Sequence, residues 1–167
     1  GRSMDHVASF VTGMSTSPEI FDNDNYKFSK NLLNYYQHMK KNDIFASYAV
    51  VPPQAARNPE FYQKRNLPIP TLSVVDENDK GVVISGMKML ATSAVFANEI
   101  WIGNLIPLAP DQVKQSITCA LPCNADGLTL WMRQPLSNHY DNQFDAPLSW
   151  NQDETDVLVM CDNVLIP

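Results

Sequence analysis

Residues 71–86 read TLSVVDENDKGVVISG, and this stretch decides the fold class of the chain. Two runs that contain Val, Ile, Ser and Thr flank the polar segment DENDK, which is followed by Gly81. Such runs favour strands, and a short polar connection that ends in glycine is typical of a hairpin turn. The pattern therefore predicts an antiparallel β-hairpin in the middle of the chain.

Further apolar runs indicate that β-structure continues to residue 167. They are separated by Pro, Gly, Asn and Asp, and they read NEIWIGNLIP (98–107), QSITCALP (115–122), GLTLWMR (127–133) and DVLVMCDNVLIP (156–167). The sequence NADG (124–127) predicts a second hairpin turn. Because the run 157–160 is apolar on both faces, we expect its strand to be covered on both sides. The sequence predicts a β-barrel or sandwich of about 100 residues.

The first 45 residues have a helical pattern instead. In DNDNYKFSKNLLNYYQHMKKND (22–43), one apolar stripe recurs on a 3.6-residue period and consists of Phe28, Leu32, Tyr35, Tyr36 and Met39. Asp24 or Asn25 is predicted to cap the start of this helix. Lys40 and Lys41 suit the negative end of its dipole. The sequence therefore predicts an α+β protein whose helices precede its strands.

Composition and charge exclude several function classes. A hydrophobic fraction of 44% predicts a packed globule, and a net charge of -6 argues against nucleic acid and anionic membrane surfaces as partners. No apolar run is long enough to span a bilayer, and no signal peptide is visible. The three cysteines form no CxxC pair and no metal-ligand pattern, so we interpret them as reduced thiols of a cytoplasmic protein without a metal. A dinucleotide-binding glycine fingerprint is also absent.

Four stretches together resemble the oxygenase component of 4-hydroxyphenylacetate 3-monooxygenase and its relatives, the two-component, reduced-flavin-dependent phenol hydroxylases. They follow the family's order and read GRSMDH (1–6), SYAVVPPQAAR (47–57), GVVISGMKMLATSAVFANEIWIG (81–103) and DAPLSWNQDETDVLVMCDNVLIP (145–167). The resemblance implies an acyl-CoA dehydrogenase-like fold. Residues 1–57 would be the end of an N-terminal helical domain and 58–167 a middle β-barrel domain, with the C-terminal helical bundle absent from this chain.

The same resemblance implies catalytic roles for Arg2, His6 and Tyr48, which would also contact the substrate. Arg2 would stabilise a phenolate, and His6 would act as a general base or hydrogen-bond donor. Asp5 would orient Arg2 or His6, or serve only as a cap or structural ion pair. Relatives carry Tyr at the position of His6 and often His at the position of Tyr48. We interpret this as a compensated exchange of the two residue types within one cavity.

For the cofactor, the resemblance implies that Gln54, Ala55, Ala56 and Arg57 line FAD and that Thr92, with Ser93, bonds the edge of the isoalloxazine ring. Without the resemblance, Thr92 would be an ordinary strand residue and Arg57 a surface charge. After the run EIWIG, some relatives have small hydroxyl residues that meet the substrate. Here Leu105 and Ile106 follow Asn104, which favours a larger or more apolar phenol.

The implied activity is ortho-hydroxylation of a phenol by dioxygen through a flavin hydroperoxide. FAD would arrive reduced from a separate flavin reductase, and the oxygenase would be a homotetramer. One alternative is a 4-hydroxybutyryl-CoA dehydratase-like lyase, whose iron–sulfur cluster needs cysteines near residues 1–6 that this chain lacks. Another is a non-catalytic relative that binds a flavin or an aromatic ligand.

Overall fold

A computed structural model describes residues 6–105, 107–139, 141–152 and 155–167. The α-helices are α1 (His6–Met14), α2 (Phe28–Asn42), α3 (Pro59–Gln63) and α4 (Pro147–Asn151). The strands are β1 (Ala46–Ala49), β2 (Ser73–Asn78), β3 (Gly81–Lys88), β4 (Glu99–Ile102), β5 (Cys119–Pro122), β6 (Leu128–Met132) and β7 (Val157–Ile166). In the described part of the chain, none of the helices has the length and apolar character that a membrane span requires.

Helix α2 follows the predicted apolar stripe along most of its length. Four of the five stripe residues pack into one cluster with α1 and the sheet, namely Leu32, Tyr35, Tyr36 and Met39. Phe28 differs, because its side chain is 47% exposed and stacks on Tyr26. The last turn carries Lys40 and Lys41 as predicted, and Asp43 ends the helix in a left-handed conformation.

The predicted cap of α2 is wrong. Neither Asp24 nor Asn25 lies at the cap position, which is occupied by Lys27 without a side-chain hydrogen bond. Asp22 caps the first turn of the helix instead. Its carboxylate accepts hydrogen bonds from the Ser29 backbone N–H at 2.8 Å and from the Ser29 hydroxyl at 3.0 Å. A β-bridge between Asp22 and Lys27 folds the preceding loop back, so a residue outside the local capping pattern reaches the first turn.

The seven strands form two open sheets. The order is β1-β4-β5 in one sheet and β2-β3-β7-β6 in the other. Strand β1 is parallel to β4, whereas the other pairs are antiparallel, and the β2–β3 hairpin agrees with the pattern of residues 71–86. The predicted β-barrel is not confirmed, because neither sheet closes among the described strands and each keeps two edges. The domain boundary after residue 57 stays a prediction.

The predicted hairpin at NADG is wrong. Strand β5 before it pairs with β4, and strand β6 after it pairs with β7, so the turn carries the chain from one sheet to the other. The local turn itself forms, since the Leu128 N–H donates to the Ala125 carbonyl at 3.1 Å. Gly127 has φ 82°, and a Cβ there would overlap the Asp162 carbonyl oxygen. Turn residues therefore indicate the change of direction, but burial decides which strand becomes the partner.

The three-stranded sheet separates two apolar cores. One face packs against the other sheet, in a core that includes Ala49, Ile100 and Ile102. The opposite face packs against α1 and α2 and includes Ala46, Tyr48 and Trp101. Because side chains alternate along a strand, this division places Tyr48 on the helical side of β1.

Candidate active site

Three aromatic rings meet where α1 packs against β1. The His6 and Tyr48 ring centroids are 5.5 Å apart, those of His6 and Phe10 are 5.5 Å apart, and those of Phe10 and Tyr48 are 5.2 Å apart. His6 is the first residue of α1 and is exposed, whereas Tyr48 is half-buried. The two residues that carry the predicted exchange therefore touch one another.

Helical and strand periodicity together explain this meeting. Val7 and Val11 are buried and fix α1 on the sheet, so His6 and Phe10, which are one turn apart, lie side by side next to it. On the sheet, Tyr48 is in register with Trp101 of β4, and the Trp101 ring lies 5.5 Å from that of Phe10. The Phe10 and Trp101 rings therefore extend the apolar wall beside Tyr48.

Behind Trp101 lies a buried polar group. The Tyr35 ring is 5.3 Å from that of Trp101, and burial, followed by the charge of Glu99, raises the pKa of the Tyr35 hydroxyl. Glu99 Oε1 is 2.8 Å from His38 Nε2. The Tyr35 hydroxyl and Glu99 Oε2 are buried and have no hydrogen-bond partner in the described part of the chain. The Tyr35 hydroxyl therefore stays protonated and adds no second negative charge beside Glu99.

The candidate flavin segments begin at neighbouring points of the fold. Val51 forms a β-bridge with Met89, whose N–H donates to the Val51 carbonyl at 2.8 Å. The Ser47 hydroxyl donates to the Thr92 carbonyl at 2.7 Å. These contacts bring the connection after β1 next to the connection after β3. Within the connection after β1, residues Gln54–Arg57 form a 3₁₀ helix. The side chains of Gln54, Ala55 and Arg57 are exposed there, whereas that of Ala56 is half-buried.

The connection after β3 is a strained turn. Leu90 and Ser93 both have φ 62°, in the left-handed region that non-glycine residues rarely occupy. Backbone hydrogen bonds hold the turn to the start of β7, from the Ala91 N–H to the Val157 carbonyl at 3.1 Å and from the Ser93 N–H to the Thr155 carbonyl at 2.8 Å. Strained backbone conformations of this kind persist where surrounding contacts hold them in place, and they are frequent at ligand-binding sites.

Thr92 lies at the centre of this turn and is oriented by a carboxylate. Its hydroxyl donates to Asp156 Oδ1 at 2.9 Å. Asp156 belongs to the stretch DAPLSWNQDETD, which the resemblance singles out, but its contact with Thr92 is not predictable from residue spacing. The contact brings together two stretches that are more than 60 residues apart in sequence.

The candidate substrate segment follows β4. Leu105 is 61% exposed, and Asn104 before it is half-buried. The ammonium group of Lys88 donates to Asn104 Oδ1 at 2.8 Å and to the Gly103 carbonyl at 3.0 Å. Lys88 is 4% exposed, a burial that the sequence pattern did not indicate, because a lone lysine at a strand end is usually solvated.

The structure therefore assembles most of the predicted site residues into two groups. His6 and Tyr48 form one, and the other consists of the connections after β1 and β3, which begin side by side and contain Gln54–Arg57 and Thr92–Ser93. Arg2, Asp5 and Ile106 lie outside the described residues, so their predicted roles stay predictions. Asp156, Ser47 and Lys88 are additions that only the three-dimensional contacts identify.

The cysteines are free thiols rather than a ligand cluster. Cys161 is buried, Cys119 and Cys123 are half-buried, and burial raises the pKa of Cys119 to about 12 and that of Cys161 to about 11. These thiols are therefore protonated at neutral pH and are poor metal ligands. Within the described ranges, His, Cys, Asp and Glu form no group that is suited to holding a metal ion.

Comparison with known proteins identifies the family to which this chain belongs. Residues 1–167 match the family described as "4-hydroxyphenylacetate 3-hydroxylase N terminal". The chain is 32% identical over 169 residues to the 4-hydroxyphenylacetate 3-monooxygenase oxygenase component of Thermus thermophilus, covering 100% of this chain and 33% of that protein. It is 33% identical over 141 residues to the 4-nitrophenol 4-monooxygenase/4-nitrocatechol 2-monooxygenase oxygenase component of Rhodococcus opacus, covering 84% of this chain and 26% of that one.

Solved structures agree with these matches. The oxygenase component of 4-hydroxyphenylacetate 3-monooxygenase, complexed with FAD and 4-hydroxyphenylacetate, superposes with a TM-score of 0.80 at 32% identity, over 100% of this chain and 34% of that one. An archaeal 4-hydroxybutyryl-CoA dehydratase from N. maritimus superposes with a TM-score of 0.71 at 20% identity, over 98% of this chain and 32% of that one, which shows a shared fold alone. The chain spans 33% and 26% of the lengths of the two curated relatives cited above. It belongs to the 4-hydroxyphenylacetate 3-hydroxylase family and matches that family's N-terminal region.

Proposed function

We propose that the whole protein is the oxygenase component of a two-component, FAD-dependent monooxygenase that hydroxylates a phenol ortho to its hydroxyl group. One atom of dioxygen enters the ring, and the other leaves as water. The partners are a flavin reductase, which supplies the reduced cofactor, and further copies of the protein in a homotetramer. We also propose a cytoplasmic location, because the reduced cofactor must pass from the reductase to the oxygenase.

The observation that carries this proposal is the contact between His6 and Tyr48. An imidazole can accept and return the proton of a bound phenol, and a phenol side chain beside it can donate a hydrogen bond. The Phe10 ring contacts the Tyr48 ring, and the Trp101 ring contacts the Phe10 ring, so the site pairs proton-transfer groups with an apolar wall that limits water. Arg2, four residues before His6, is proposed to stabilise the phenolate, because guanidinium remains charged.

The turn at residues 89–93 suits FAD. An isoalloxazine ring has an apolar body and a polar edge, and the stretch around Thr92 carries both a hydroxyl group and exposed apolar side chains. Leu90 is 46% exposed, Val95 38% and Phe96 69%. We propose that Thr92 and Ser93 hold the polar edge of the ring, and that Gln54 and Arg57 hold the more distant parts of the cofactor. Reduced FAD, when bound, supplies the electrons that activate dioxygen.

The substrate proposal is a phenol that is more apolar or larger than a small carboxylated one. Leu105 exposes an apolar surface at the position where some relatives have hydroxyl groups. The names of two relatives, which are 4-nitrophenol 4-monooxygenase/4-nitrocatechol 2-monooxygenase and 2,4,6-trichlorophenol monooxygenase, support phenols without a carboxylate as substrates. Leu105, with Ile106, is proposed to contact the substituent of the ring.

Product analysis tests this function. The whole protein is supplied with reduced FAD, air and a panel of phenols with neutral, halogenated, nitro and carboxylated substituents. An amount of catechol that equals the amount of reduced FAD oxidised supports the proposal. Faster hydroxylation of the non-carboxylated phenols supports the proposed substrate class. Release of hydrogen peroxide without any hydroxylated product, for every phenol of the panel, would contradict it.

A further inference from the structure

A buried lysine joins the ends of three strands next to the candidate substrate segment. Lys88 ends β3, and its ammonium group donates to the carbonyl of Gly103, the residue that follows β4. The Gly103 N–H in turn donates to the carbonyl of Ala49, the last residue of β1, at 3.2 Å. Lys88 thus holds the point where the connections after β1, β3 and β4 leave the sheets.

The lysine also has an unusual set of partners. A carbonyl and an amide oxygen accept its hydrogen bonds, and no carboxylate of the described residues forms an ion pair with it. Burial lowers its pKa. A buried ammonium without an anionic partner is costly, so a lysine at this position needs a reason other than stability.

Asn104 extends the contact to the far end of the following segment. While its Oδ1 accepts from Lys88, its Nδ2 donates to the Gln115 carbonyl at 3.0 Å and to the Ile117 carbonyl at 3.4 Å. One amide side chain, which Lys88 orients, therefore closes the base of the segment that includes Leu105 and residues 107–116. Because the ammonium can only donate, it fixes which end of the Asn104 amide faces the two carbonyls.

The segment that this contact closes exposes apolar side chains. Leu105 is 61% exposed and Val113 is 74% exposed. Two exposed aliphatic side chains on one closed segment are suited to bury the apolar part of an aromatic ring. The orientation of the segment base would then decide how these side chains meet the substrate.

We propose that Lys88 is a positioning residue for substrate binding. Through Asn104 it holds Leu105 and residues 107–116 in the conformation that receives the phenol, without touching the phenol itself. This inference rests on the proposed function, but the closure of the segment is a property of the chain alone and is measured separately.

The test compares Lys88→Met with Lys80→Met in the whole protein. Methionine keeps the apolar stem but removes the charge and the donors, and Lys80 is an exposed lysine in the β2–β3 turn. Loss of a hydrogen bond to a charged group predicts a KM for the phenol about ten-fold higher in Lys88→Met, with kcat within about three-fold and FAD affinity unchanged. Lys80→Met should match the wild type. Equal KM values for Lys88→Met and wild type would overturn the proposal.

Hydrogen exchange separates this inference from the proposed function. In Lys88→Met, the amides of residues 105–117 should exchange about ten-fold faster, whereas those of β3 and β7 should keep their rates. This measurement needs neither FAD nor substrate, so it holds even if no phenol is hydroxylated. Faster exchange throughout the chain, or no change in 105–117, would overturn the positioning role. If Lys88→Met fails to fold, Asn104→Ala decides, since it keeps the Lys88–Gly103 contact and should give the same KM rise and the same local exchange.

Discussion

The imidazole of His6 lies 5.5 Å from the ring of Tyr48, centroid to centroid, at an interplanar angle of 65°. This edge-to-face contact is favourable for aromatic rings. It also joins two positions that are 42 residues apart in sequence, on a helix and a strand. Whatever the substrate is, a change at one of these positions alters the surroundings of the other.

The contact predicts coupling in a double-mutant cycle. His6→Tyr and Tyr48→His should each lower the kcat/KM of hydroxylation, and the double exchange should recover part of the loss, with a coupling energy of about 0.5–3 kcal/mol. The reason is that the double variant restores one imidazole and one phenol to the same two neighbouring positions. The measurement is kcat/KM of the four proteins with one phenol. Additive losses would mean that the two groups act independently.

The orientation of Thr92 predicts an effect on FAD binding. Thr92→Val keeps the size of the side chain but removes the hydroxyl and leaves Asp156 without that donor. Loss of a neutral hydrogen bond corresponds to about 1 kcal/mol, so the Kd for FAD should rise about five-fold. Fluorescence titration of the whole protein measures this. Thr129→Val, at an exposed position of β6, is the matched control and should bind FAD as the wild type does.

An unchanged Kd in Thr92→Val would contradict the assignment of the turn to the cofactor. A Kd that rises equally in Thr129→Val would indicate a general effect on the second sheet rather than a contact of Thr92. Asp156→Asn adds a further comparison, because it keeps an oxygen that accepts from Thr92 but removes the charge. If the orientation of the Thr92 hydroxyl matters more than the charge of Asp156, Asp156→Asn should retain most of the affinity for FAD.

Local patterns were sufficient for part of the fold. The stripe of α2 is predictable because helical burial repeats within the segment itself, and the β2–β3 hairpin because its turn and strands are contiguous. The partners of β5 and β6 were mispredicted because sheet pairing is decided by burial between distant segments, which a turn sequence does not encode. For the same reason, the pattern did not distinguish two open sheets from a closed barrel.

The candidate site depended even more on distant contacts. His6 and Tyr48 were proposed together from the family resemblance, and only the packing of α1 on β1 places them in contact. The burial of Lys88 and the Asp156–Thr92 hydrogen bond have no signal in composition or periodicity. Leu90 and Ser93 likewise have no glycine or Asn–Gly signature that would predict left-handed residues, because their conformation is imposed by hydrogen bonds to the start of β7.

The raised thiol pKa values predict a loss of stability at alkaline pH. Burial, followed by the nearby Cys161, raises the pKa of Cys119 from 9.0 to about 12. Between these values the unfolded chain releases a proton that the folded chain keeps, so the free energy of unfolding falls as the pH rises, by up to about 1.4 kcal/mol per pH unit for one thiol. Urea unfolding of the wild type and Cys119→Ala at pH 7 to 11, under reducing conditions, measures the difference.

Below pH 9 the two proteins should differ by a constant amount, which reflects the cavity left by the thiol. From pH 9 to 11 the wild type should lose more stability than Cys119→Ala, because the variant lacks the group that titrates. Parallel curves across the whole range would show that Cys119 ionises equally easily in the folded and unfolded chain.

The strained turn predicts a stabilising substitution that weakens the site. Ser93 has φ 62°, a conformation that costs an L-residue roughly 1–2 kcal/mol, whereas glycine adopts it freely at an entropic cost of about 0.5–1 kcal/mol. The Ser93 side chain makes no capping hydrogen bond, so Ser93→Gly should raise the free energy of unfolding by about 0.5–1 kcal/mol. Ser73→Gly in β2, where the backbone is extended, should lower it by a similar amount. Because Ser93→Gly removes a hydroxyl that is proposed to hold the ring edge and also frees the turn that holds Thr92, it should bind FAD more weakly than wild type. A decrease in stability that equals that of Ser73→Gly would show that the turn stores no strain and that the weakened binding needs another cause.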